Sequence, residues 1–548
     1  MNKNVSVIIP SAKLVPEELQ HIGKLPGIAY PINQRIVFDY LYEQYQHIRG
    51  TINIVCYEAI ETVRRRLGSY SDERIQLLEL PELKDLGHSV HFGIQDCNSP
   101  VYINFGDTIV MDTDDSENDD VIFYSEDYLS TTWTYFEDDQ GRITEIYDKI
   151  SLRSEEKKKL FIGLFKIADS QYFKACLERS FCEKNRKVSS FYHALQLYSQ
   201  SHPFTLLPVR SWFDIGHMET YSNSALEVRA REFNHITVDK QRGILRKTSD
   251  SKEKFIGEIL WYLKLPSDIE YVRPRIFSYS TDYASAYVAM EYYSYHTLHE
   301  LFLHGDLNYH QWIDIFKRIR FVLEDFKRYT VGGDKIPAAL QDMYLNKTLH
   351  RLDQLRDKPA FAKFFEKEIC VNGQRYQSLD RVYQILKEVI PSNLYDVDTF
   401  HVIHGDLCFA NIMVDRNFSF IKVIDPRGKF GAFDIYGDTR YELAKLFHSV
   451  DGKYDFIIKD RFNIHYNPEM ATIDYSIWDY PRNYDLYKML QAILKDEIGN
   501  DLQKIEMIEA LLFLSMIPLH GESEKHQMAM LATGLQILNR SVDITVEA

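Results

Sequence analysis

The sequence predicts an α/β protein in two parts: a doubly wound sheet domain over residues 1–225, then a two-lobed domain with a small strand-bearing lobe at 226–296 and a mostly helical lobe at 297–548. Three observations predict it. From Val5 to Phe105, short apolar runs alternate with helical patterns, the arrangement of βαβ units. Near Tyr221 the pattern changes to a hairpin, a helix and a strand. From about residue 297, apolar residues recur at helical spacing, interrupted by one strand, loop and hairpin between Thr399 and Asp425.

The elements follow in order. Val5 to Ile9 is a short apolar run, the pattern of a strand buried on both faces. A helix is expected at Ile36 to Tyr45, a strand at Thr51 to Val55, a helix at Ala59 to Arg66 and a strand at Arg74 to Leu78. Val101 to Phe105 is a further buried strand that ends in Gly106-Asp107-Thr108. Val121 to Tyr124 and Trp133 to Phe136 read as later strands, with a hairpin turn at Asp138 to Gly141. Ile236 to Val238 and Gly243 to Lys247 form a hairpin, Lys254 to Tyr262 a helix, and Tyr287 to Glu291 a strand. The acidic run Asp112 to Asp120 reads as a solvated loop.

Composition narrows the function. At 548 residues the chain has room for two to four domains with their own cores. The net charge of −16 argues against nucleic acid as a partner, because phosphate neutralisation needs a basic face. Six cysteines without a CxxC pair point to a reducing compartment and no structural zinc. The start has no apolar signal region and no apolar stretch reaches membrane-spanning length, so a cytoplasmic protein without membrane insertion is expected.

His404-Gly405-Asp406-Leu407 is the most informative segment. Asn411 follows on the same loop, and Asp425 ends the next hairpin in Ile424-Asp425-Pro426. Phosphoryl transfer from ATP needs this set: Asp406 to accept the proton of an attacking hydroxyl, Asn411 and Asp425 to hold magnesium. With Gly437-Asp438 and Tyr441-Glu442-Leu443-Ala444-Lys445, the segment resembles the aminoglycoside phosphotransferase and choline kinase superfamily over roughly the last three-fifths of the chain. The resemblance implies a two-lobed kinase-like domain with Asp406 as catalytic base and ATP as cosubstrate. It makes Lys247 the ATP-phosphate lysine, Glu258 its partner, and Met290-Glu291-Tyr292-Tyr293 the segment that meets adenine. It also implies that Asp438 buttresses the catalytic loop and that the Phe233 to Thr237 turn covers the phosphates.

His304-Gly305-Asp306-Leu307 repeats the tetrapeptide, with Gln311 and Asp325 at matching distances. Spacing does not separate the copies, but local pattern does. Thr297 to Leu303 reads as helix, and Ile313, Phe316, Ile319, Leu323 and Phe326 place Asp325 inside another helix. Asp306 is therefore expected in a helix–helix connection.

Residues 1 to about 225 resemble sugar-phosphate nucleotidyltransferases. The carriers are Ile8-Ile9-Pro10-Ser11-Ala12, Lys24-Leu25-Pro26 with Pro31-Ile32-Asn33, Asn104-Phe105-Gly106-Asp107-Thr108, and Trp212-Phe213-Asp214-Ile215-Gly216-His217 with Glu219-Thr220-Tyr221. The resemblance implies a metal held by Asp107 and Asp214, Lys149 on the acceptor's phosphate, and a second nucleoside triphosphate, CTP or UTP. The family's glycine-rich loop is replaced by Ser11 to Glu17, so Lys13 and Lys24 are the candidates to stand in for it. Side chains replace a cradle of backbone amides poorly. Asp112-Thr113-Asp114 offers a separate, glycosyltransferase-like metal motif.

Together these expectations describe a bifunctional enzyme. It would phosphorylate a hydroxyl of a small sugar or amino alcohol and couple that phosphate to a nucleotide, giving a precursor for a surface polysaccharide. The alternative is a kinase whose first domain only binds a nucleotide or sugar. Tyr466, Trp478, Tyr480 and Tyr484 are the aromatic candidates for caging a choline-like substrate.

Overall fold

The computed structural model describes residues 5–32, 35–68, 70–98, 100–111, 120–150, 156–184, 186–216, 236–239, 241–479 and 482–546. The chain divides into two compact units, Met1–Arg229 with His304–Asp306, and Ala230–Leu303 with Leu307–Ala548.

In the first unit Ser6–Pro10 and Ile52–Cys56 are buried along their whole length, as their mostly apolar runs lead one to expect. They pair in parallel, flanked by Ile75–Glu79 on one side and Val101–Asn104 on the other. Helices Val37–Tyr45, Ile60–Leu67 and Leu86–Ile94 provide the connections between them. Beyond this half the sheet is mostly antiparallel, with one further parallel pair between Thr205–Pro208 and Val121–Asp127. Lys158–Ile167 lies antiparallel to Val101–Asn104 and carries the sheet on through Thr134–Asp139 to Arg142–Asp148. The doubly wound expectation thus holds for four strands, and a mixed sheet replaces it beyond them.

Lys158–Ile167 is the main element that pattern reading passes over. Its apolar run is broken by Gly163, which takes a φ of 91°. Such a bend suits glycine. It lets one strand serve two neighbours: Lys159 and Leu160 pair with Thr134–Asp139, and Leu164 to Ile167 pair with Val101–Asn104. The bend also presents Phe161 and Phe165 to one core. Phe161 stacks on Phe136 at 4.3 Å between centroids, and Phe165 meets Phe191 edge-on at 5.2 Å.

The second unit opens with an antiparallel sheet in the order Ile236–Asp239, Ile244–Lys247, Tyr287–Glu291, Ile276–Ser280, with helix Lys252–Lys264 following the second strand. Thr399–Val402 then enters the loop that carries Asp406, and Ile412–Val414 pairs with Ile421–Val423 to deliver Asp425. Asp415 closes that hairpin by accepting hydrogen bonds from the Ser419 and Phe420 amides at 2.6 and 2.9 Å. Around them lie helices Tyr309–Lys327, Leu379–Leu394, Thr439–Val450, Leu502–Met516 and Glu524–Ser541. The second His-Gly-Asp-Leu falls between Leu298–His304 and Tyr309–Lys327, and Asp325 lies inside the latter helix, as its flanks required.

The larger lobe is less purely helical than expected. Gln374–Tyr376, Ile369–Val371, Thr472–Ile477 and Phe462–Asn467 form a four-stranded sheet. Its strands are short and only partly buried, so they lack a strong apolar signal. Tyr466 stands on one of them and Trp478 follows another, whereas Tyr484 donates its hydroxyl hydrogen to the Leu307 carbonyl at 2.7 Å. Tyr480 lies outside the described residues. Among the described residues no helix is long and apolar enough to cross a membrane.

Phe165 is fully buried at the strand bend. Phe165→Ala is expected to destabilise the first unit by about 3–5 kcal/mol. A lowered urea midpoint with an unchanged slope, followed by intrinsic fluorescence, is the measurement that checks it.

Candidate active sites

The loop after Thr399–Val402 is fixed from below by a buried helix. Glu442, on Thr439–Val450, accepts hydrogen bonds from the backbone amides of His404 and Gly405 at 2.8 and 2.7 Å. The His404 ring is fully buried, and its Nε2 bonds the Ile424 carbonyl at 3.0 Å. That contact ties the loop to the strand end bearing Asp425. The following turn is tied as well. Gly428 takes a φ of 72°, and a Cβ there would lie 2.2 Å from the carbonyl carbon of Gly257, so only glycine lets helix Lys252–Lys264 pack so closely.

Asp406 then meets two partners. Asn411 donates from Nδ2 to the Asp406 backbone carbonyl at 2.9 Å and to its Oδ2 at 3.1 Å. Lys445, one helical turn beyond Glu442, places Nζ 2.8 Å from Asp406 Oδ1. Across the site Lys247 Nζ lies 3.0 Å from Glu258 Oε1 and 2.7 Å from Asp425 Oδ1. Asp425 holds a φ of 57°, unusual for a residue with a side chain, and its amide donates to the Tyr262 hydroxyl at 3.0 Å. With the Asn411 nitrogen committed to Asp406, its carbonyl oxygen and the Asp425 carboxylate are the hard oxygen donors that magnesium prefers.

The electrostatics follow from burial and these pairs. Burial pushes the Asp406 carboxyl up, but the charge and hydrogen bond of Lys445 outweigh it and hold the group below the usual carboxylate range. Burial opposes the charge on Lys247, and Asp425 and Glu258 more than restore it. Burial, then the negative charge of Asp425, pushes Glu258 up to about 7. Burial holds His404 down to about 4, which keeps its ring neutral. Glu442 is pushed up to about 7 by burial, against the pull of the two loop amides.

One expectation changes at this site. Asp438 does not reach the Asp406 loop through its carboxylate. It caps Thr439–Val450 at the Arg440 amide, pairs with the Arg440 guanidinium at 2.8 Å and accepts from Tyr344 at 2.9 Å. The loop amides bond Glu442 instead. On Tyr287–Glu291 and just after it, the amides of Glu291 and Tyr292 are donated to the Arg275 and Gly243 carbonyls, both at 2.8 Å, so neither offers an amide to adenine. The Phe233 to His235 part of the phosphate-covering turn lies outside the described residues. Lys445 and Glu442 are roles that sequence reasoning missed. Their signal was present as charged residues set among Tyr441, Leu443, Ala444 and Leu446, but only burial distinguishes them from a solvated face.

In the first unit a cleft of about 380 Å³ opens at the ends of the parallel strands, lined by Lys13, Asp107, Lys149, Asp214 and Gly216 among others. Asp107 follows Val101–Asn104, and Asp214 ends Trp212–Asp214, which pairs with Thr108–Val110. The two carboxylates converge beside Gly216: a Cβ there would lie 3.1 Å from Asp107 Oδ2 and 3.2 Å from Asp214 Oδ1. Lys13 and Lys149 are exposed at the rim. Lys24 is exposed and does not line the cleft. Its neighbour Leu25 is fully buried and accepts from the Val15 amide at 2.8 Å, which turns Lys24 outward. Asp112-Thr113-Asp114, His217 and Glu219-Thr220-Tyr221 lie outside the described residues.

Three amides of the loop that replaces the glycine-rich segment are committed. Ser11 donates to Val55 O at 2.8 Å, Val15 to Leu25 O at 2.8 Å, and Leu14 to the Glu58 carboxylate at 3.0 Å. A phosphate arriving here would find these donors occupied, one of them by a negative charge.

The N-terminal region is similar in fold to several solved nucleotidyltransferases. They include CTP:phosphocholine cytidylyltransferase from Streptococcus pneumoniae, at 12% identity over 41% of this chain and 99% of that one, with a TM-score of 0.33. The inositol-1-phosphate CTP transferase from T. maritima matches at 14% identity over 41% and 98%, with a TM-score of 0.32. HddC from Yersinia pseudotuberculosis matches at 15% identity over 41% and 99%, with a TM-score of 0.31. At these TM-scores the likeness carries no inference about activity. No protein-family model and no curated protein matches the chain.

The Glu442 value sets a pH dependence. Its folded-state pKa of about 7 lies above the ordinary 4.5, so the folded protein binds the extra proton and stability falls as pH rises through that window. Glu442→Gln should remove the Glu442 share of this fall, leaving the share of Glu258, which is also pushed up to about 7. Chemical unfolding of both proteins between pH 5 and 7 checks it, with the loss on raising pH expected in the parent and smaller in the variant.

Proposed function

We propose that the second unit transfers a phosphate from ATP to a hydroxyl of a small sugar or amino alcohol, releasing ADP. The observation that carries this reading is the convergence of Asp406, Asn411, Asp425, Lys247 and Lys445 through contacts of 2.7–3.1 Å. In this reading Asp406 orients the acceptor hydroxyl and takes its proton. Lys445 keeps that carboxylate ionised and aimed. Lys247, steadied by Glu258, exchanges its contact with Asp425 for the ATP phosphates. Magnesium, held by Asn411 and Asp425, would neutralise charge on the transferred phosphate.

For the first unit the proposal is a nucleotidyltransferase that joins the resulting phosphate ester to a nucleotide from CTP or UTP and releases pyrophosphate. Asp107 and Asp214 would hold the metal, and Lys13 and Lys149 would meet phosphates. The product would be an activated precursor of a surface polysaccharide. Linking both steps on one chain raises the local concentration of the intermediate. A second reading, in which this unit only binds a nucleotide or sugar, is favoured by one observation: the Ser11, Leu14 and Val15 amides are already used.

Incubation with Mg-ATP, each other NTP and a panel of sugars and amino alcohols is expected to release ADP and, in the bifunctional case, pyrophosphate. Absence of both across the panel would sink the proposal. Asp406→Asn should lower kcat of the phosphate transfer by about 10²–10⁴-fold. Mg-ATP affinity, measured by calorimetry, should stay within a few-fold of the parent. Asp107→Ala decides between the two readings: it abolishes pyrophosphate release if the first unit is catalytic and leaves all turnover unchanged if it only binds.

A further inference from the structure

We propose that His520, Glu522 and His526 form a binding site for a divalent transition metal of the zinc class, separate from the magnesium donors. One ligand atom from each of the three lies within 4.8 Å of the others, and these are the only residues among those described that group in this way. The chain fixes their spacing. His520 ends the short helical turn Ile517–His520, and His526 sits in the first turn of Glu524–Ser541, where its amide donates to the Ser523 hydroxyl.

Two details point to a ligand rather than to a chance cluster. The first is the His526 ring, about 10% exposed, whose Nε2 lies 2.8 Å from Asp460 Oδ1. Its Nδ1 is buried and has no hydrogen-bond partner among the described residues. A histidine that bonds a carboxylate through one ring nitrogen and presents the other unpaired has the arrangement of a metal ligand with its outer partner. The second is the His520 Nδ1 to Glu522 Oε1 separation of 3.1 Å. Two ligands about 2.0–2.1 Å from a tetrahedral zinc stand roughly 3.3 Å apart. His520 Nε2, 3.4 Å from the Tyr454 hydroxyl, has an outer partner too. Two imidazoles and one carboxylate select zinc-like ions over magnesium or calcium. Three protein ligands leave a fourth position for water. Cysteine counting could not have found this site, because no cysteine takes part in it. Bound there, the ion would tie the turn at Ile517–His520 to the start of the last helix.

Zinc titrated into the full-length protein, followed by calorimetry and by metal content after desalting, tests this. Cobalt serves as the spectroscopic substitute. One zinc per chain and the intense visible absorption of tetrahedral cobalt are expected. Glu522→Gln, on an exposed side chain, and His520→Asn should each weaken zinc about tenfold or more, and Asp460→Asn about tenfold. Circular dichroism checks that the variants fold. A parent protein that retains no zinc, or variants that bind it as tightly as the parent, would overturn the proposal.

Discussion

The Glu442 carboxylate, buried beneath the loop that carries Asp406, is the interaction on which the second unit's site depends. It receives two consecutive loop amides, and the same helix one turn later brings Lys445 to Asp406. A buried carboxylate without such partners would be costly. Here the two amides offset part of that cost, and they hold the loop at two successive residues. Asp406 and Lys445 are therefore positioned by the same rigid helix, so their 2.8 Å contact does not rely on a flexible connection.

The opposite wall is built by a second three-part interaction. Lys247 comes from the small sheet, Glu258 from the helix behind it, and Asp425 from the hairpin of the larger lobe. The cation is shared between two carboxylates, and Glu258, the more buried, is pushed toward neutrality. Metal and nucleotide entering such a site meet groups already paired with each other. In the proposed reaction, binding is then an exchange of partners rather than the filling of bare charges, which limits the desolvation that charged groups must suffer.

The first unit shows the same logic with a different outcome. Asp107 and Asp214 converge because Trp212–Asp214 pairs with Thr108–Val110 across the mouth of the sheet. The loop at Ser11 to Val15 is held in place by three of its amides, those of Ser11, Leu14 and Val15, which are spent on Val55, Glu58 and Leu25. Two carboxylates thus approach each other on one side of the cleft, and on the other side three loop amides are already bonded. This contrast, rather than any missing carboxylate, separates the catalytic reading of this unit from the binding one.

Local pattern was enough for elements whose own residues fix them. The buried strands Ser6–Pro10 and Ile52–Cys56, the hairpin carrying Asp425 and the helical setting of the second His-Gly-Asp-Leu were all legible, because apolar period and turn chemistry act over a few residues. Lys158–Ile167 was not, since Gly163 looks like a break until two different neighbours show why the strand bends there. Lys24 and Asp438 were misplaced for a related reason: the burial of Leu25 turns one outward, and Arg440 and Tyr344 engage the other. The residues' chemistry, an aspartate, an asparagine and a second aspartate around one hairpin, is written in the chain order. Which buried charge supports them, Glu442 and Lys445, emerges only when the helix packs under the loop, because desolvation and pairing are properties of neighbours distant in sequence.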